Sequence, residues 1–233
     1  MVNNWLDIIQ NYLLPPTCIL CGNQGQASRD ICGPCMELLV TNPYCCYRCG
    51  IPFEHAPTGP VLCGDCQKRM PGFDETHAPF KHQSVIRFLI SGLKFRRQFK
   101  NARLLGLLMA DYLKISAEMP DCLVPVPLHP RRYRERGFNQ SIEIARTLSR
   151  ELAIPIDLDC CIRSRNTPHQ IDLPAKERRK NMRNAFTVNG PLRFDHIAII
   201  DDVMTTGTTV SELARALKKA GAARVDVWVC ARA

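Results

Sequence analysis

Four C-x2-C pairs stand close together in the first third of the chain: Cys18/Cys21, Cys32/Cys35, Cys46/Cys49 and Cys63/Cys66. No other feature limits the fold of that stretch so tightly. Each pair lets two sulfurs reach one metal ion without strain. Two pairs complete a tetrahedral four-thiolate site, so four pairs predict two sites. The simplest pairing is sequential: Cys18, Cys21, Cys32 and Cys35 hold one Zn2+, and Cys46, Cys49, Cys63 and Cys66 hold a second. Every ligand position is then a thiolate, which makes the sites closed and structural rather than catalytic. Cys45 stands one residue out of register; it reads as a spare, and spacing alone leaves it able to replace Cys46. A redox role for a single C-x-x-C pair is the alternative, and four pairs in series weigh against it. Little apolar sequence surrounds these cysteines, so the module should depend on metal to fold.

Of the 13 cysteines in 233 residues, only Cys122, Cys160, Cys161 and Cys230 fall outside this region. A disulfide framework would need an oxidising compartment, and no secretion signal is recognisable. The stretch from Trp5 to Leu14 is short, is broken by Asp7, Gln10 and Asn11, and lacks a basic leader. No run approaches the roughly 18 to 20 apolar residues of a membrane span. The expectation is a cytoplasmic chain with reduced cysteines and no membrane span. Trp5, Ile8, Ile9, Tyr12 and Leu13 follow helical spacing, so residues 1–14 read as a short amphipathic helix docked on the body and ended by Pro15-Pro16.

The formal net charge is +9. Its excess lies in two clusters, Lys94, Arg96, Arg97, Lys100 and Arg103, then Arg131, Arg132, Arg134 and Arg136. Basic faces attract phosphates, small or polymeric. Two four-thiolate zinc sites carry about −2 each, which lowers the net charge to roughly +5 and makes the N-terminal module acidic. Bulk charge therefore overstates the case for nucleic acid.

The remaining sequence reads as a module over 15–70, a linker over 67–80 and a larger domain over 80–233. Helical spacing runs from Ser84 to Leu113. Cys122 to Val126 reads as a buried strand, followed by a loop rich in Pro and Arg. Residues from Ser141 to Leu152 share a helical face, and Arg163 to Arg183 reads as a basic loop. His196 to Ile200 is a buried strand, Val210 to Lys219 a helix with Gly221 just past its end, and Val225 to Cys230 a last strand. Strands alternating with helices imply βαβ units. The predicted fold class is α/β, a parallel sheet flanked by helices, with a small N-terminal zinc module.

The most informative segment begins at His196. An apolar strand runs into Asp201 and Asp202, then into a loop of Thr205, Thr206, Gly207, Thr208 and Thr209, then into a helix. Thr209 and Glu212 have the spacing of a capping box. Backbone N–H groups and the dipole at a helix start favour an anion. Gly207 lets the backbone come close, and the threonines add hydroxyl donors. An acidic pair just before such a cradle makes sense if the ligand carries vicinal hydroxyls or a Mg2+ ion.

This segment resembles the signature with which type I phosphoribosyltransferases bind phosphoribosyl pyrophosphate (PRPP). The resemblance implies that Asp201 and Asp202 take the ribose hydroxyls and that Thr205 to Thr209 hold the 5′-phosphate. Upstream stand Leu93-Lys-Phe, Pro125-Val-Pro-Leu-His-Pro-Arg-Arg and Arg136-Gly-Phe-Asn-Gln. Downstream of these come Arg163-Ser-Arg-Asn-Thr-Pro-His-Gln and Arg178-Arg-Lys-Asn-Met-Arg-Asn-Ala-Phe. With these motifs in order from Cys18 to Arg232, the chain resembles the ComF/GntX family, which joins a double zinc ribbon to a phosphoribosyltransferase-like domain.

The family resemblance implies that Arg131, Arg136, Asn139 and Gln140 face the pyrophosphate. It also implies that Thr167, Gln170, Arg178 and Asn181 belong to a mobile loop that closes over the ligand, with Arg178 among the PRPP contacts. His129 reads as structural. If the chain is an active transferase, the chemistry is displacement of pyrophosphate at C1 of the ribose with Mg2+ bound alongside PRPP. Asp201, Asp202, Arg131 and Arg136 would then carry catalysis through electrostatics. Thr205 stands where purine-salvage relatives carry an acid, which argues against a purine acceptor. The same resemblance admits a non-catalytic reading: a single-stranded DNA-binding protein that works with other DNA-uptake proteins and uses the fold for binding or sensing.

Overall fold

A computed structural model describes residues 15–26, 29–165 and 184–233. The expected helix over 1–14 and the loop residues Thr167, Gln170, Arg178 and Asn181 lie outside them. Helices α1 (Gly33–Glu37) and α2 (Gly64–Lys68) belong to the cysteine module. The larger part runs β1 (Thr76–His77), β2 (Phe80–Lys81), α3 (Ser84–Arg96), α4 (Phe99–Ser116), β3 (Cys122–Pro125), α5 (Pro130–Arg136) and α6 (Gln140–Leu152). It continues with β4 (Cys161–Arg163), β5 (Phe186–Val188), β6 (His196–Met204), α7 (Thr208–Lys219) and β7 (Arg224–Arg232).

The main sheet is parallel, in the order β1-β7-β6-β3, and β2 also pairs with β7. β1 and β2 are two pieces of one edge strand, interrupted at Pro79, which has no N–H to give to a ladder. The stretch expected to be a linker thus contributes a sheet edge. It also anchors the cysteine module: the Thr76 hydroxyl donates to Arg48 O at 2.8 Å, and Arg232 Nε at the end of β7 donates to Cys49 O at 2.9 Å.

Alternation along β6 divides the core. Ala198 and Ile200 pack with Leu89, Leu93, Leu105, Met109, Ile144 and Leu148 of α3, α4 and α6. Ile197 and Ile199 pack with Val210, Leu213 and Leu217 of α7. A strand buried on both faces needs such a continuous apolar run, which β6 supplies up to Ile200. The strand does not end there, as expected, but continues through the two acids to Met204, paired with Arg232. The helical stretch from Ser84 is likewise two helices. Arg97 adopts a left-handed conformation at φ 54° and breaks it. β4 and β5 form a separate antiparallel pair.

Candidate functional site

β3 makes its last pair at Pro125 with Ile200, so the next two residues of β6, Asp201 and Asp202, stand beyond their neighbour at the carboxyl edge of the sheet. Ligands of open α/β sheets bind at such an edge, where strands end and helices begin. Ser141 Oγ, from the first turn of α6, donates to Asp201 Oδ1 at 2.9 Å. Gln140 Nε2 donates to Asp202 Oδ1 at 3.3 Å. Lys94, in the last turn of α3, forms an ion pair with Asp202 Oδ2. Burial and the neighbouring Asp202 charge push Asp201 up to about 7. Burial also works to raise Asp202, but Lys94 outweighs it and holds that carboxyl below its ordinary value. The pair is therefore split: at neutral pH Asp202 is ionised and Asp201 sits near its midpoint, as expected when two like charges share a buried site.

The threonine loop follows at once. Gly207 is the N-cap of α7 at φ 69°, and a Cβ there would stand 3.2 Å from Met204 Sδ. Glycine takes this left-handed turn without strain. The predicted capping box does not form. α7 starts one residue before Thr209, its N-cap Gly207 has no side chain to cap it, the Thr206 hydroxyl accepts from Thr208 N at 3.4 Å, and Glu212 pairs instead with Arg215. The cause is the glycine, which turns the chain earlier than a Thr cap would. The first-turn N–H groups of α7 consequently open toward the loop as an anion cradle. Thr205 and Thr206 are exposed, and the Thr206 and Thr208 hydroxyls lie 2.9 Å apart.

Of the residues expected on the pyrophosphate side, Arg136 and Gln140 join the acids: Arg136 Nη1 donates to Gln140 Oε1 at 2.5 Å. Arg136 also lines a groove of about 360 Å3 with Lys94, Phe95, Arg97, Arg132 and Glu135. Arg131 is not among the lining residues; it lies in solvent, paired with Glu135 at 3.1 Å. Asn139 is buried as the N-cap of α6, accepting from Ser141 N and donating to Val126 O at 2.9 Å, so it shapes the site rather than facing it. His129 caps α5, accepting from Arg131 N. Of the residues around the acids and the groove, sequence reasoning named Lys94, Arg97 and Arg132 only as members of the basic clusters, with Lys94 and Arg132 also in the Leu93-Lys-Phe and Pro125-to-Arg132 motifs; it missed Ser141, which no local signal singles out.

In the N-terminal module the eight predicted sulfurs gather as the sequential tetrads, each with its ligand atoms within 4.8 Å of one another. The module is a duplication. Gly22 follows Cys21 at φ 78° and Gly50 follows Cys49 at φ 66°. Cys32 and Cys63 each serve as N-cap of a short helix that holds the fourth cysteine. Burial works to raise Cys18, but the N–H groups of Cys32, Cys21 and Leu20 bring it down to about 6. The equivalent N–H groups of Cys63, Cys49 and Arg48 overcome burial at Cys46 and lower it too. One thiol of each tetrad is thus favoured as a thiolate, while the hydrogen bond with Cys32 pushes Cys35 up to about 12 and burial pushes Cys49 up to about 12, so these neighbours would give up their protons on binding Zn2+. Cys45 bridges Pro52 just as Thr17 bridges Gln24, so it occupies the ribbon position before the first ligand. That settles Cys46 over Cys45.

Residues 9–70 match the double zinc ribbon domain and residues 139–233 the phosphoribosyl transferase domain. The DNA utilization protein YhgH of Escherichia coli (strain K12) is 36% identical over 207 residues, covering 87% of this chain and 90% of that one. Competence protein F of Haemophilus influenzae is 34% identical over 225 residues, covering 93% and 96%. Among solved structures, the glutamine phosphoribosylpyrophosphate amidotransferase of B. subtilis aligns over 55% of this chain and 26% of its own, at 23% identity and a TM-score of 0.37. Among the described residues, no helix is long and apolar enough to cross a membrane.

Proposed function

Because this chain belongs to the ComF family, which joins a double zinc ribbon to a phosphoribosyltransferase domain, we propose that it binds PRPP or a related phosphoribosyl ligand at the carboxyl edge of its sheet. The observation that carries the reading is the acidic pair at the end of β6, Asp202 buried and Asp201 partly so, standing just before the glycine-turned start of α7. The acids suit the ribose hydroxyls, and the loop from Thr205 to Thr209 suits the 5′-phosphate. Arg136, with Arg132 and Lys94 beside it, suits the pyrophosphate. Mg2+, when bound with the ligand, supplies charge neutralisation at the pyrophosphate. In a transfer reaction the same residues would favour the departing pyrophosphate and the positive charge that develops on the sugar. Arg178 is assigned to this site by resemblance.

The test is calorimetry of PRPP with Mg2+ on the wild-type chain and on Asp201→Asn/Asp202→Asn. Micromolar binding abolished by the double change supports the reading; no binding by the wild type sinks it.

A second reading, single-stranded DNA handling in the cytoplasm alongside other DNA-uptake proteins, has an observation of its own. Phe95 is 74% exposed and Phe99 48% exposed. Phe95 lines the groove already described, and Phe99 lines a second one, about 490 Å3, with Arg103, Arg146 and Arg150. Exposed aromatics between arginines offer stacking surfaces within a positive field. The expected result is oligonucleotide binding that weakens steeply with salt and is lost in Phe95→Ala/Phe99→Ala. Salt-independent or absent binding ends this reading.

A further inference from the structure

Lys94 belongs to two places at once. Its ammonium pairs with Asp202 Oδ2, and its side chain lines the groove whose other cations are Arg97, Arg132 and Arg136. The lysine side chain is 24% exposed, while that of Asp202 is 3% exposed. The backbone beneath it is fixed. α3 ends two residues later at Arg96, the left-handed Arg97 follows, and Asn101 Nδ2 from α4 ties back to Leu89 O at 2.9 Å. The four-carbon stem above that fixed point can turn, and the ammonium carries three rotatable donors. A second link joins the same two places, from Arg136 through Gln140 to Asp202 Oδ1.

Asp202 is thus paired with a lysine. A ribose diol needs that same carboxylate as its acceptor, while a pyrophosphate in the groove needs cations. Resting on the phosphoribosyl reading above, we infer that Lys94 is a shared positioning residue, exchanged from Asp202 to the pyrophosphate when the groove fills, so that pyrophosphate occupancy releases the carboxylate for the ribose hydroxyls. The groove and the acidic pair then act as one coupled site. A ligand that carries only one of the two groups is held poorly, because only the exchange leaves both Lys94 and Asp202 paired. A buried charge left alone costs far more than one that changes partner.

The experiment measures calorimetric affinity of the full zinc-loaded chain, with Mg2+, for ribose 5-phosphate, for inorganic pyrophosphate, and for ribose 5-phosphate in saturating pyrophosphate. In the wild type, pyrophosphate should tighten ribose 5-phosphate by roughly tenfold, within the range usual for coupled sites. In Lys94→Met this tightening should vanish, pyrophosphate should weaken, and ribose 5-phosphate alone should bind no more weakly than to the wild type. Lys94→Gln serves as the second variant, and thermal melting with zinc content shows that each is folded. A merely structural lysine would instead weaken both probes together and leave the coupling intact, which would overturn the inference. So would a wild type that binds PRPP without any coupling between the two halves. Failure of the wild type to bind PRPP at all is the separate result that removes the phosphoribosyl reading itself.

Discussion

Ser141 Oγ donates to Asp201 Oδ1 at 2.9 Å, joining the first turn of α6 to the strand that carries both acids. The bond favours ionised Asp201, yet burial and Asp202 prevail and the carboxyl stays protonated up to about 7, against an ordinary 3.8. In the unfolded chain it would lose its proton near the ordinary value. Between pH 4 and 7 the folded chain therefore holds more protons than the unfolded one, and this residue's contribution to stability falls as pH rises through that window. Asp202 works in the opposite sense: its lowered value contributes stability at neutral pH that is lost under acid conditions. Chemical denaturation at pH 5 and pH 8 should show Asp201→Asn losing less stability across the interval than the wild type, by about 2 kcal/mol. Ligand binding that needs the carboxylate should release close to one proton at pH 6 and almost none at pH 8, read by calorimetry in buffers of different ionisation enthalpy.

The zinc assignment has a sharp discriminator in the adjacent Cys45 and Cys46. Cys46 Sγ lies in the second tetrad and accepts from Cys63 N at 3.3 Å, while Cys45 belongs to the ribbon bridge. Cys45→Ser should retain two zinc ions per chain by elemental analysis. Cys46→Ser should retain one, with its module half opened to proteolysis. Chelation of both ions should unfold residues 15–70, because the module has few apolar contacts to replace the metal.

Gly207→Ala tests the cradle. Alanine at φ 69° bears a left-handed penalty of about 1 to 2 kcal/mol, and its Cβ would crowd Met204 Sδ at 3.2 Å. The expected outcome is a drop in thermal midpoint together with loss of measurable PRPP binding. Thr206→Ala, which removes an exposed hydroxyl bonded to Thr208, should weaken binding with a smaller drop in midpoint than Gly207→Ala.

These residues also mark how far sequence carries. The apolar run before Asp201 announces a buried strand, and the glycine among threonines announces the turn; both signals are local, so both are legible. Asp is a poor strand former, which is why the strand looks finished at Ile200. Pairing with β7 as far as Arg232 carries it on, a tertiary effect no window of sequence contains. The break at Arg97 has no Gly or Pro to announce it; its left-handed backbone follows from the packing of two helices. The partnership of Lys94 with Asp202 spans the domain and is visible only once the sheet is assembled. The zinc module is the reverse case. Its ligands follow from spacing, and the repeat of Cys-x-x-Cys-Gly at Cys18 and Cys46 was a legible reason to prefer Cys46 that the spacing argument did not use.

The opposite end of the sheet provides the control that separates stability from the site. Asp226 of β7 is fully buried, with His196 Nε2 at 2.7 Å from Oδ2 and Arg224 Nε at 3.1 Å from Oδ1. Arg224 also reaches Glu75 at 3.0 Å. These groups join the starts of β6 and β7 to the edge strand, and they lie at the amino ends of strands whose carboxyl ends carry Asp201 and Asp202. Asp226→Ala removes the carboxylate shared by His196 and Arg224 and leaves Arg224 partly buried with less charge to meet it. Breaking such a network costs about 3 to 5 kcal/mol. Urea denaturation should show that loss, while PRPP affinity measured on the remaining folded protein should stay within about twofold, since coupling between separate sites below 0.5 kcal/mol is usual where no partner is shared. A large loss of affinity without loss of stability would mean that the amino edge of the sheet, not only its carboxyl edge, touches the ligand.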